Sequence, residues 1–460
     1  MFLVKTIWIG IDDTDSIAGG CTTYVARTII QKIHGTYEII GYPRLVRLNP
    51  NIPWKTRGNG ALCIHVGKQG GKIKRKIGEI NGTDVFASLT FTSELDAHEQ
   101  NHLARIIKET VDAQARVDDQ NTNPGFVISS KKPEVALYKK AVTQIVALNE
   151  VHSIVKNLDA AFEEYKNGRG LIGATAAVAW EPLDRTFELI AYRTIDRWGT
   201  KRQVDPESVK RMDADCPTTF DNYDYVNHHN RIVPNSPCPI LYGIRGNDVE
   251  ELVHAASHIT TEPVDSWLLF ETNQGTDDHL QRKQIVEIHA FESVITEGCV
   301  VQNPHTIQGG CVLFELKDTT GTITCAAYEP TKEFRGIIRE LHIGDIVEVY
   351  GGVREQPLTI NIEKIVIKHL TTVMVKAENP VCSTCGKHMK SRGTEQGYKC
   401  MRCGTKSNTP LIEEKPRTIT IGFYEVPVCA RRHLSKPLKR MTKELPSTPL
   451  TVNGTGDTPQ

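Results

Sequence analysis

The chain has 460 residues, a formal net charge of zero, 39% apolar residues and 24% charged residues. This length predicts several domains, and the composition is that of a protein with buried cores. No apolar run approaches the ~20 residues that cross a bilayer, and the N-terminus lacks a secretory pattern, so we expect a cytoplasmic protein with no membrane partner. The neutral balance excludes a strongly basic nucleic-acid binder, so any RNA contact must come from local patches.

The N-terminal region alternates between strand and helix patterns. Residues Thr6–Ile11 predict a short buried strand. A four-residue apolar spacing predicts a helix that begins near Gly20, and a second apolar face predicts another helix over residues 97–113. Residues 118–125 (DDQNTNPG) have turn and loop chemistry.

The middle of the chain predicts a second mixed region. Helical patterns occur over residues 133–148 and 158–165, and short strands are predicted at 174–180 (ATAAVAW) and 185–193 (RTFELIAYR). This mixture indicates a pair of α+β domains.

Residues 286–370 change character towards β-structure. The segment 309–330 predicts a hairpin with its turn at Asp318–Gly321, and two further strand patterns follow a short helical segment, TKEFRGIIREL. About five strands with one small helix are typical of an OB-type barrel. A barrel without a ligand is the alternative to a nucleic-acid-binding one.

Four of the twelve cysteines have the spacing of metal ligands. Cys382 and Cys385 form one CxxC pair, and Cys400 and Cys403 form a second pair 14 residues later. This pattern predicts a structural zinc site with four thiolates, against the alternative of redox-active dithiols. The other eight cysteines are interpreted as small core residues rather than catalytic thiols: Cys21, Cys63, Cys216, Cys238, Cys299, Cys311, Cys325 and Cys429.

Basic residues concentrate near and after these cysteines. The zinc module carries six cations, Lys387, Lys390, Arg392, Lys399, Arg402 and Lys406, and the segment after it carries Arg431, Arg432, His433, Lys436, Lys439 and Arg440. Nearby Phe423 and Tyr424 favour RNA contact for that segment, and a solvated tail is the alternative. Residues 446–460 are expected to be disordered.

Asp12, Asp13 and Asp15 place three carboxylates just before a glycine turn. Two unit charges ~4 Å apart cost about 4 kcal/mol at an effective dielectric near 20, so a compensating charge is required. Mg²⁺ would supply it while joining the carboxylates to phosphates, which the following helix N-terminus also attracts. The alternative is a structural cluster in which Asp15 or Ser16 caps the helix.

Further polar clusters suit anion contact. PWKTRGNGA (53–61) combines Lys55 and Arg57 with Gly58 and Gly60, and a similar chemistry recurs at residues 123–128 and 166–174. A loop around residues 226–246 holds His228, His229, Arg231 and Arg245, and residues 273–281 hold Asp277, Asp278 and His279. Together these clusters indicate a large polar site shared by the first two domains.

The order of these motifs resembles one family. IGIDDTDSIAGGCTTYVA, TRGNGA, GRGLIGATAAVAW, NSPCPILYGIRG, NQGTDDHL, AYEPTKEFRGIIREL, the four cysteines and YEVPVCARRHLSKPL follow one another between about residues 6 and 440. In this the chain is similar to the archaeal agmatidine synthases, which modify the wobble cytidine of the isoleucine tRNA with a CAU anticodon. Family members often have GMCTT where this chain has Gly19-Gly20-Cys21-Thr22-Thr23.

The resemblance implies a multidomain α+β architecture. The implied domains are a kinase-like catalytic domain (1–145), a ferredoxin-like domain (146–285), an OB-fold (286–372), a zinc ribbon (378–410) and a basic segment that contacts tRNA (411–445). It also implies ATP, Mg²⁺ and agmatine, a C–N bond-forming ligase reaction through a C2-O-phosphorylated cytidine, release of AMP, and an autophosphorylated Thr22. We further expect a monomer.

The resulting site prediction has four parts. The catalytic and Mg²⁺-binding residues are Asp12, Asp13 and Asp15, with Thr22 as the phosphorylated residue. The ATP and phosphate contacts are Gly19, Gly20, Thr23, Lys55, Arg57, Gly58, Asn59 and Gly60. The candidates for agmatine, a dication, are Asp221, Asp224, Asp277 and Asp278. The tRNA contacts are Lys387, Arg402, Arg431, Arg432, Lys436, Lys439 and Arg440.

Two alternatives remain open at this stage. A different ATP-dependent tRNA base ligase could use another amine, such as lysine. A non-catalytic tRNA-binding protein would use the aspartates only structurally.

Overall fold

The computed structural model describes residues 6–90 and 94–441. Its first unit contains, in chain order, β1 (Thr6–Asp12), α1 (Thr22–Ile33), β2 (Tyr37–Ile40), β3 (Arg44–Arg47), β4 (Gly60–Lys68), β5 (Lys74–Ile80), β6 (Thr83–Ser88), α2 (Ala97–Gln114), β7 (Gly125–Ser129), α3 (Val135–Thr143), α4 (Leu148–Asn157), β8 (Ala161–Glu164) and α5 (Arg169–Ala179). The strand at Thr6–Ile11 and the helices near Gly20 and over 97–113 are therefore confirmed.

Strand β1 is central because both of its neighbours and both of its faces are occupied. It pairs antiparallel with β4 on one side and with β7 on the other. Ile7, Ile9 and Ile11 are buried in one core with the apolar face of α1. Helix α5 packs across β1 on the opposite side.

The strand predicted over residues 174–180 is wrong, because residues 174–179 lie in α5 and Trp180 follows its end. The run is rich in alanine, which favours helix, and its small side chains permit close approach to the sheet. A Cβ at Gly10 of β1 would lie only 2.1 Å from the carbonyl oxygen of Ala174. Glycine at position 10 is thus required for this helix–strand contact.

The helix predicted over residues 158–165 is also wrong. The helix α4 ends at Asn157, and Asp159 takes a positive φ of 53°, which stops the helical path. The chain then enters β8, which pairs antiparallel with β7. The division between two domains at residues 145 and 146 stays a prediction.

The second unit contains β9 (Thr186–Arg193), α6 (Pro206–Asp215), β10 (Thr219–Phe220), β11 (Tyr223–Asp224), β12 (His229–Asn230), β13 (Ile240–Gly246), α7 (Val249–Ser257) and β14 (Val264–Thr272). The strand predicted at 185–193 is confirmed as β9. Strand β14 pairs with β9 and also with β5 of the first unit. The two units therefore share one sheet, in the order β10-β13-β9-β14-β5-β6-β2-β4-β1-β7-β8.

The third unit is a closed barrel. It contains β15 (Leu280–Arg282), β16 (Ser293–Thr306), β17 (Val312–Lys317), β18 (Thr322–Ala327), α8 (Phe334–Arg339), β19 (Ile346–Arg354) and β20 (Thr359–His369). Strands β16 to β20 pair in the order β16-β17-β18-β20-β19, and β19 closes onto β16. The hairpin, the small helix and the five-stranded barrel are confirmed.

The last described part contains β21 (Val373–Glu378), β22 (Lys390–Ser391), β23 (Tyr398–Lys399), β24 (Lys406–Ser407), β25 (Leu411–Lys415) and β26 (Gly422–Glu425). Strands β21 and β25 pair and carry the four-cysteine module between them. Strand β26 returns to the barrel and pairs with β20. The chain then runs on to the junction of the first two units.

Among residues 6–90 and 94–441, no helix has the length and apolarity that a membrane span requires. The tail predicted to be disordered, residues 446–460, lies outside the described residues.

Candidate active site

A cavity of about 400 Å³ opens where the first unit, the second unit and the C-terminal segment meet. Its polar lining includes Asp12, Asp13, Asp15, Thr22, Thr23, Arg47, Lys55, Thr56, Arg57, Gly58, Asn59, Gly60, Arg169, Glu188, Asp221, Arg231, Asn235, Ser236, Arg245, Arg431 and His433. Residues of the clusters at 53–61, 166–174 and 226–246 thus meet in one site that the first two units share. Within the described chain, residues 123–128 and 273–281 do not line it.

Asp12 lies at the end of β1, where α5 crosses the strand. Its Oδ1 accepts the backbone N–H of Asp13 at 2.7 Å. A Cβ at Gly173 of α5 would lie 1.8 Å from Asp12 Oδ2, so only glycine leaves room for this carboxylate. Burial, together with the neighbouring Asp13 carboxylate, raises the pKa of Asp12 well above its usual range.

Asp13 and Asp15 have partners of different kinds. Asp13 accepts hydrogen bonds from Thr56 Oγ1 at 3.0 Å and from the backbone N–H of Asn123 at 2.9 Å. Asp15 accepts from Arg57 Nε at 2.6 Å. Burial is the main reason that the pKa values of both carboxyls are raised, although Arg57 opposes the effect at Asp15.

The three carboxylates do not form a single tight cluster. Within the described residues, they are not among the groups whose ligand atoms all lie within 4.8 Å of one another. Asp15 is already paired with the guanidinium of Arg57, whereas no positively charged side chain in the described part of the chain lowers the pKa of Asp12. A divalent cation with additional phosphate ligands therefore fits Asp12 and Asp13 best.

The N-terminus of α1 faces the same cavity through Thr22 and Thr23. The residue before it, Cys21, makes no side-chain cap, so the interpretation that Asp15 or Ser16 caps this helix is wrong. Thr22 Oγ1 accepts a hydrogen bond from Thr14 Oγ1 at 3.1 Å, which leaves the hydroxyl proton of Thr22 available. An uncapped helix N-terminus suits a phosphate group.

The turn before β4 brings further predicted residues to the cavity. Arg57 spans the site, since it donates to Asp15, to Ser236 Oγ at 2.8 Å and to the carbonyl of Gly20 at 2.7 Å. Burial and the charge of Arg432 lower the pKa of Lys55 to about 8. Asn59 holds the turn by donating to the carbonyl of Asn49 at 2.8 Å.

Gly19 and Gly20 shape the preceding turn. Both have positive φ, and within the described chain neither belongs to the cavity lining. Gly58 and Gly60 instead give room to Arg47, whose guanidinium would lie 2.7 Å from a Cβ at position 58. The contact of these four glycines with ATP phosphates stays a prediction.

Basic residues form the wall opposite the three carboxylates. All of them except Arg47 lie in polar or basic clusters that are recognised in the sequence. They are Arg47, Arg231, Arg245 and His433. Arg47 Nε, Arg245 Nε and His433 Nδ1 are buried without a hydrogen-bond partner within the described residues. Burial beside three guanidinium groups lowers the pKa of His433 well below its usual range. The unpaired Nε–H of Arg47 and the positive charge of the three guanidinium groups suit an anion.

Two functional candidates of this wall, Arg47 and Glu188, were missed. Glu188 Oε2 accepts a hydrogen bond from Gln274 Nε2 at 2.5 Å, and Glu188 Oε1 lies 3.4 Å from Arg245 Nε. Both missed residues lie on strands, Arg47 at the end of β3 and Glu188 inside β9. For Glu188, the sequence offers one signal: a carboxylate within the otherwise apolar strand pattern TFELIAYR.

Of the four carboxylates predicted to bind agmatine, only Asp221 lines the cavity within the described chain. It forms an ion pair with Arg431. Asp224 accepts the backbone N–H groups of Asn227 and Cys429, each at 2.9 Å. The remaining two also have protein partners: Asp277 pairs with Lys364 at 2.5 Å, and Asp278 accepts from Tyr138 Oη at 2.6 Å.

The basic segment is not a solvated tail. Arg431 is 7% exposed and pairs with Asp221 and with Glu425. The other cations of the segment also have partners: Arg432 contacts Glu363 at 3.2 Å, Lys436 and Arg440 each contact Asp184 at 2.9 Å, and Lys439 donates to the carbonyl of Thr219 at 2.7 Å. Their binding to tRNA stays a prediction.

Comparison with known proteins bears on the identity of this site. Family models match three regions of the chain: the TiaS TCKD domain over residues 8–167, the TiaS FLD domain over residues 168–279 and the TiaS C-terminal zinc ribbon domain over residues 379–419. The chain belongs to the TiaS family.

TiaS relatives match nearly the whole chain. The isoleucine-tRNA 2-agmatinylcytidine synthetase TiaS of Archaeoglobus fulgidus is 42% identical over 444 residues, which are 95% of this chain and 98% of the relative. The crystal structure of TiaS in complex with its isoleucine tRNA and ATP is 42% identical, with a TM-score of 0.82 and coverage of 96% and 98%. The crystal structure of TiaS in complex with the same tRNA, AMPCPP and agmatine is 39% identical, with a TM-score of 0.80 and the same coverage.

The TiaS zinc ribbon is built on two knuckles. The Sγ atoms of Cys382 and Cys403 are 3.3 Å apart, and those of Cys385 and Cys400 are 3.4 Å apart. All four ligand atoms lie within 4.8 Å of one another, which fits a tetrahedral zinc site. Gly386 and Gly404 have positive φ and each donates its backbone N–H to the carbonyl of a ligating cysteine. The two-knuckle prediction is confirmed.

Proposed function

We propose that this chain uses ATP to join agmatine to C2 of the wobble cytidine in the isoleucine tRNA with a CAU anticodon. ATP-dependent conjugation of agmatine to this tRNA is supported by the TiaS relatives and by their complexes with the tRNA, ATP and agmatine. The observation that carries the proposal is the composite cavity. One wall offers the carboxylates and an uncapped helix N-terminus, and the other offers the guanidinium groups of Arg47, Arg231 and Arg245.

The chemistry requires activation of an unreactive oxygen. The C2 oxygen of cytosine is a poor leaving group, and transfer of a phosphoryl group from ATP allows it to leave as phosphate when the amine attacks C2. Phosphoryl transfer depends on positioning and on stabilisation of the spreading negative charge. The backbone N–H groups of Thr22 and Thr23, together with Lys55 and Arg57, are placed to supply that stabilisation.

Asp12 and Asp13 would hold Mg²⁺ at this wall. They fit the ion because both are oxygen donors that line the cavity, and because burial and the adjacent Asp13 carboxylate, which raise the pKa of Asp12, are effects that a bound cation would offset. Mg²⁺ bound there would neutralise charge on the ATP phosphates. Asp15 instead orients Arg57, which connects this wall to Ser236 of the second unit.

Thr22 is the proposed site of autophosphorylation. Its hydroxyl lines the cavity at the start of α1 and accepts from Thr14, so that its own proton points away from that bond. A phosphate on this oxygen would be stabilised by the positive end of the helix dipole. Thr14 is therefore proposed to orient the Thr22 oxygen.

Agmatine is proposed to bind on the side of the second unit. Glu188 and Asp221 are the carboxylates that line this side, and Ile190, Ile232 and Val233 supply apolar surface for a four-carbon chain. Glu188 lies 3.4 Å from Arg245 Nε and Asp221 pairs with Arg431, so a bound dication would share both carboxylates with these arginines. Asp224, Asp277 and Asp278 are better explained by the loops that they hold.

The tRNA is proposed to lie along the barrel and the ribbon, with its anticodon at the cavity. Lys387 and Arg402 are exposed on the ribbon and form no ion pair within the described residues. The finer assignments, a kinase-like first unit, a ferredoxin-like second unit and a monomer, are part of the same proposal. Because the substrate is a tRNA, we place the enzyme in the cytoplasm.

Mass spectrometry of the wobble nucleoside tests the function. The full chain is incubated with Mg²⁺, ATP, a transcript of the isoleucine tRNA with a CAU anticodon, and either agmatine or lysine. We expect agmatidine and AMP with agmatine and no adduct with lysine. A lysine adduct would indicate the alternative ligase, and an unmodified cytidine without AMP formation would indicate a non-catalytic binder.

A further inference from the structure

A second group of metal-type donors lies away from the ribbon, in the second unit. It consists of Cys216, His254 and His258, whose ligand atoms all lie within 4.8 Å of one another. Cys216 directly follows α6, whereas His254 lies in the last turn of α7 and His258 directly follows that helix. None of the three belongs to the lining of the catalytic cavity.

Local structure holds these donors in place. The two histidines are four residues apart, so they share one face at the end of α7. Their rings are in contact, with centroids 4.4 Å apart. The backbone N–H of Cys216 donates to the carbonyl of Met212 at 2.9 Å, and that of His258 donates to Ala255 at 3.1 Å. The positions are therefore fixed by the ends of two helices.

The side chains themselves have no competing bonds. Within the described residues, no hydrogen bond occupies the Cys216 thiol or the ring nitrogens of His254 and His258. Cys216 is fully buried, but His254 is exposed and His258 is half-buried, which gives an ion a path from solvent. The carboxylate of Asp215 lies 3.9 Å from His258 Nδ1.

The chemistry of the three ligand atoms indicates which metal ion they prefer. A thiolate and two imidazoles suit Zn²⁺, whereas Mg²⁺ prefers oxygen ligands. Three protein ligands leave a fourth tetrahedral position, which water or Asp215 can fill. An i, i+4 histidine pair on a helix is itself a common zinc-binding arrangement.

We propose that Cys216, His254 and His258 bind one Zn²⁺ ion in addition to the ion of the ribbon. The ion joins the end of α6 to the end of α7, behind the sheet that carries part of the catalytic cavity. Ile244 of β13 packs in the core with Leu252 and Ala255 of α7. The next residue, Arg245, faces the cavity from the other side of the strand. The proposed zinc site therefore stabilises α7, which packs against the strand that carries Arg245.

Metal content of the purified full-length chain is the first test. The chain is saturated with Zn²⁺, passed through a desalting column and measured by mass spectrometry of zinc against protein. We expect two equivalents in the wild type and one in H254Q/H258Q. That double variant keeps Cys216 in the core and changes exposed or half-buried side chains, so it is expected to fold.

Co²⁺ substitution identifies the ligands. The ribbon, with four thiolates, and the second site, with one thiolate, differ in the intensity of sulfur-to-cobalt absorption. We expect C216S to lose the weaker component, and C311S, which removes a buried cysteine of the barrel, to keep both. Zn²⁺ should also raise the melting temperature of the wild type by more than it raises that of H254Q/H258Q.

Two results would overturn the proposal. One is a single zinc equivalent in the wild type, and the other is two equivalents that persist in both H254Q/H258Q and C216S. The second result would place the additional ion elsewhere in the chain.

Discussion

The carboxylate of Asp12 lies against Gly173, so closely that a Cβ at position 173 would be 1.8 Å from Oδ2. This contact connects the end of β1 to α5, two elements that are far apart in the sequence. It makes Gly173 a positioning residue for Asp12, and it explains why α5 must be composed of small residues where it crosses the strand.

We expect G173A to displace Asp12 and to lower the rate of AMP formation by about 100-fold, since misplacement of a catalytic group by about 1 Å has such an effect. G336A is the matched control, because a Cβ at Gly336 of α8 has no heavy atom within 4 Å. Steady-state kinetics on both variants measure the effect. Wild-type activity in G173A would show that the Asp12 carboxylate needs no fixed position.

A second prediction concerns the pH dependence of stability at Asp12. Its pKa is raised on folding, so the native state holds the proton more tightly than the unfolded chain does. The free energy of unfolding therefore falls as pH rises from the unfolded pKa near 4 to the raised folded pKa, and it stays lower above that value. D12N removes this loss.

We expect D12N to be at least as stable as the wild type in Mg²⁺-free buffer, with a difference in melting temperature that is larger at pH 8 than at pH 5. The same variant should form no AMP. Melting curves and AMP assays are made on the same preparations. A purely structural role predicts the reverse pair, namely a less stable variant whose folded fraction still consumes ATP.

Some elements of the fold can be predicted from local sequence patterns, and others cannot. The periodic apolar residues of α1 and the alternating strands of the barrel have strong local signals, and both predictions are confirmed. The run ATAAVAW has no such period, because α5 is buried by small residues on several faces. Its burial against β1 decides its helical structure, and that contact is not local.

Prediction of the site residues is limited in the same way, because contacts between distant residues are not visible in local patterns. Asp277 and Asp278 are adjacent and polar, but their partners, Lys364 and Tyr138, are distant in the chain and do not show in the local pattern. Arg47 and Glu188 look like ordinary polar residues of strands. Only the assembled sheet shows that they face a cavity.

A third prediction concerns His433, whose pKa is lowered by burial and by Arg47, Arg245 and Arg231. The unfolded chain binds the proton more tightly, so the free energy of unfolding is lost as pH falls below about 6.5.

Urea unfolding of the wild type and H433Q at pH 7.5 and pH 5.5 measures the effect. We expect the wild type to lose more stability than H433Q over this interval. Pyrophosphate, an anion that the guanidinium groups of Arg47 and Arg245 attract, should reduce the loss in the wild type. Equal losses in both proteins would mean that His433 is not the group responsible.

A fourth prediction is that Arg431 stabilises the fold, whereas an exposed basic residue of the ribbon does not. Arg431 is held between Asp221 and Glu425 in the interior, and removal of one member of a buried ion pair costs about 3–5 kcal/mol. We expect R431Q to lower the free energy of unfolding by about 3 kcal/mol. R402Q, at an exposed ribbon position, should leave stability unchanged. Equal stability of R431Q and the wild type would free Arg431 for the RNA role predicted from the sequence.

The last prediction assigns tRNA backbone contact to the ribbon. Lys387 and Arg402 are exposed, and in the described part of the chain no carboxylate pairs with them. A cation that neutralises a phosphate releases counterions, so each lost contact reduces the slope of log affinity against log salt concentration by about 1. We expect K387Q/R402Q to bind tRNA more weakly at low salt and to reduce that slope by about 2, with unchanged ATP binding. The exposed pair K72Q/K201Q, on the first two units, provides a control of equal charge change. An unaltered slope in K387Q/R402Q would remove the ribbon cations from the RNA interface.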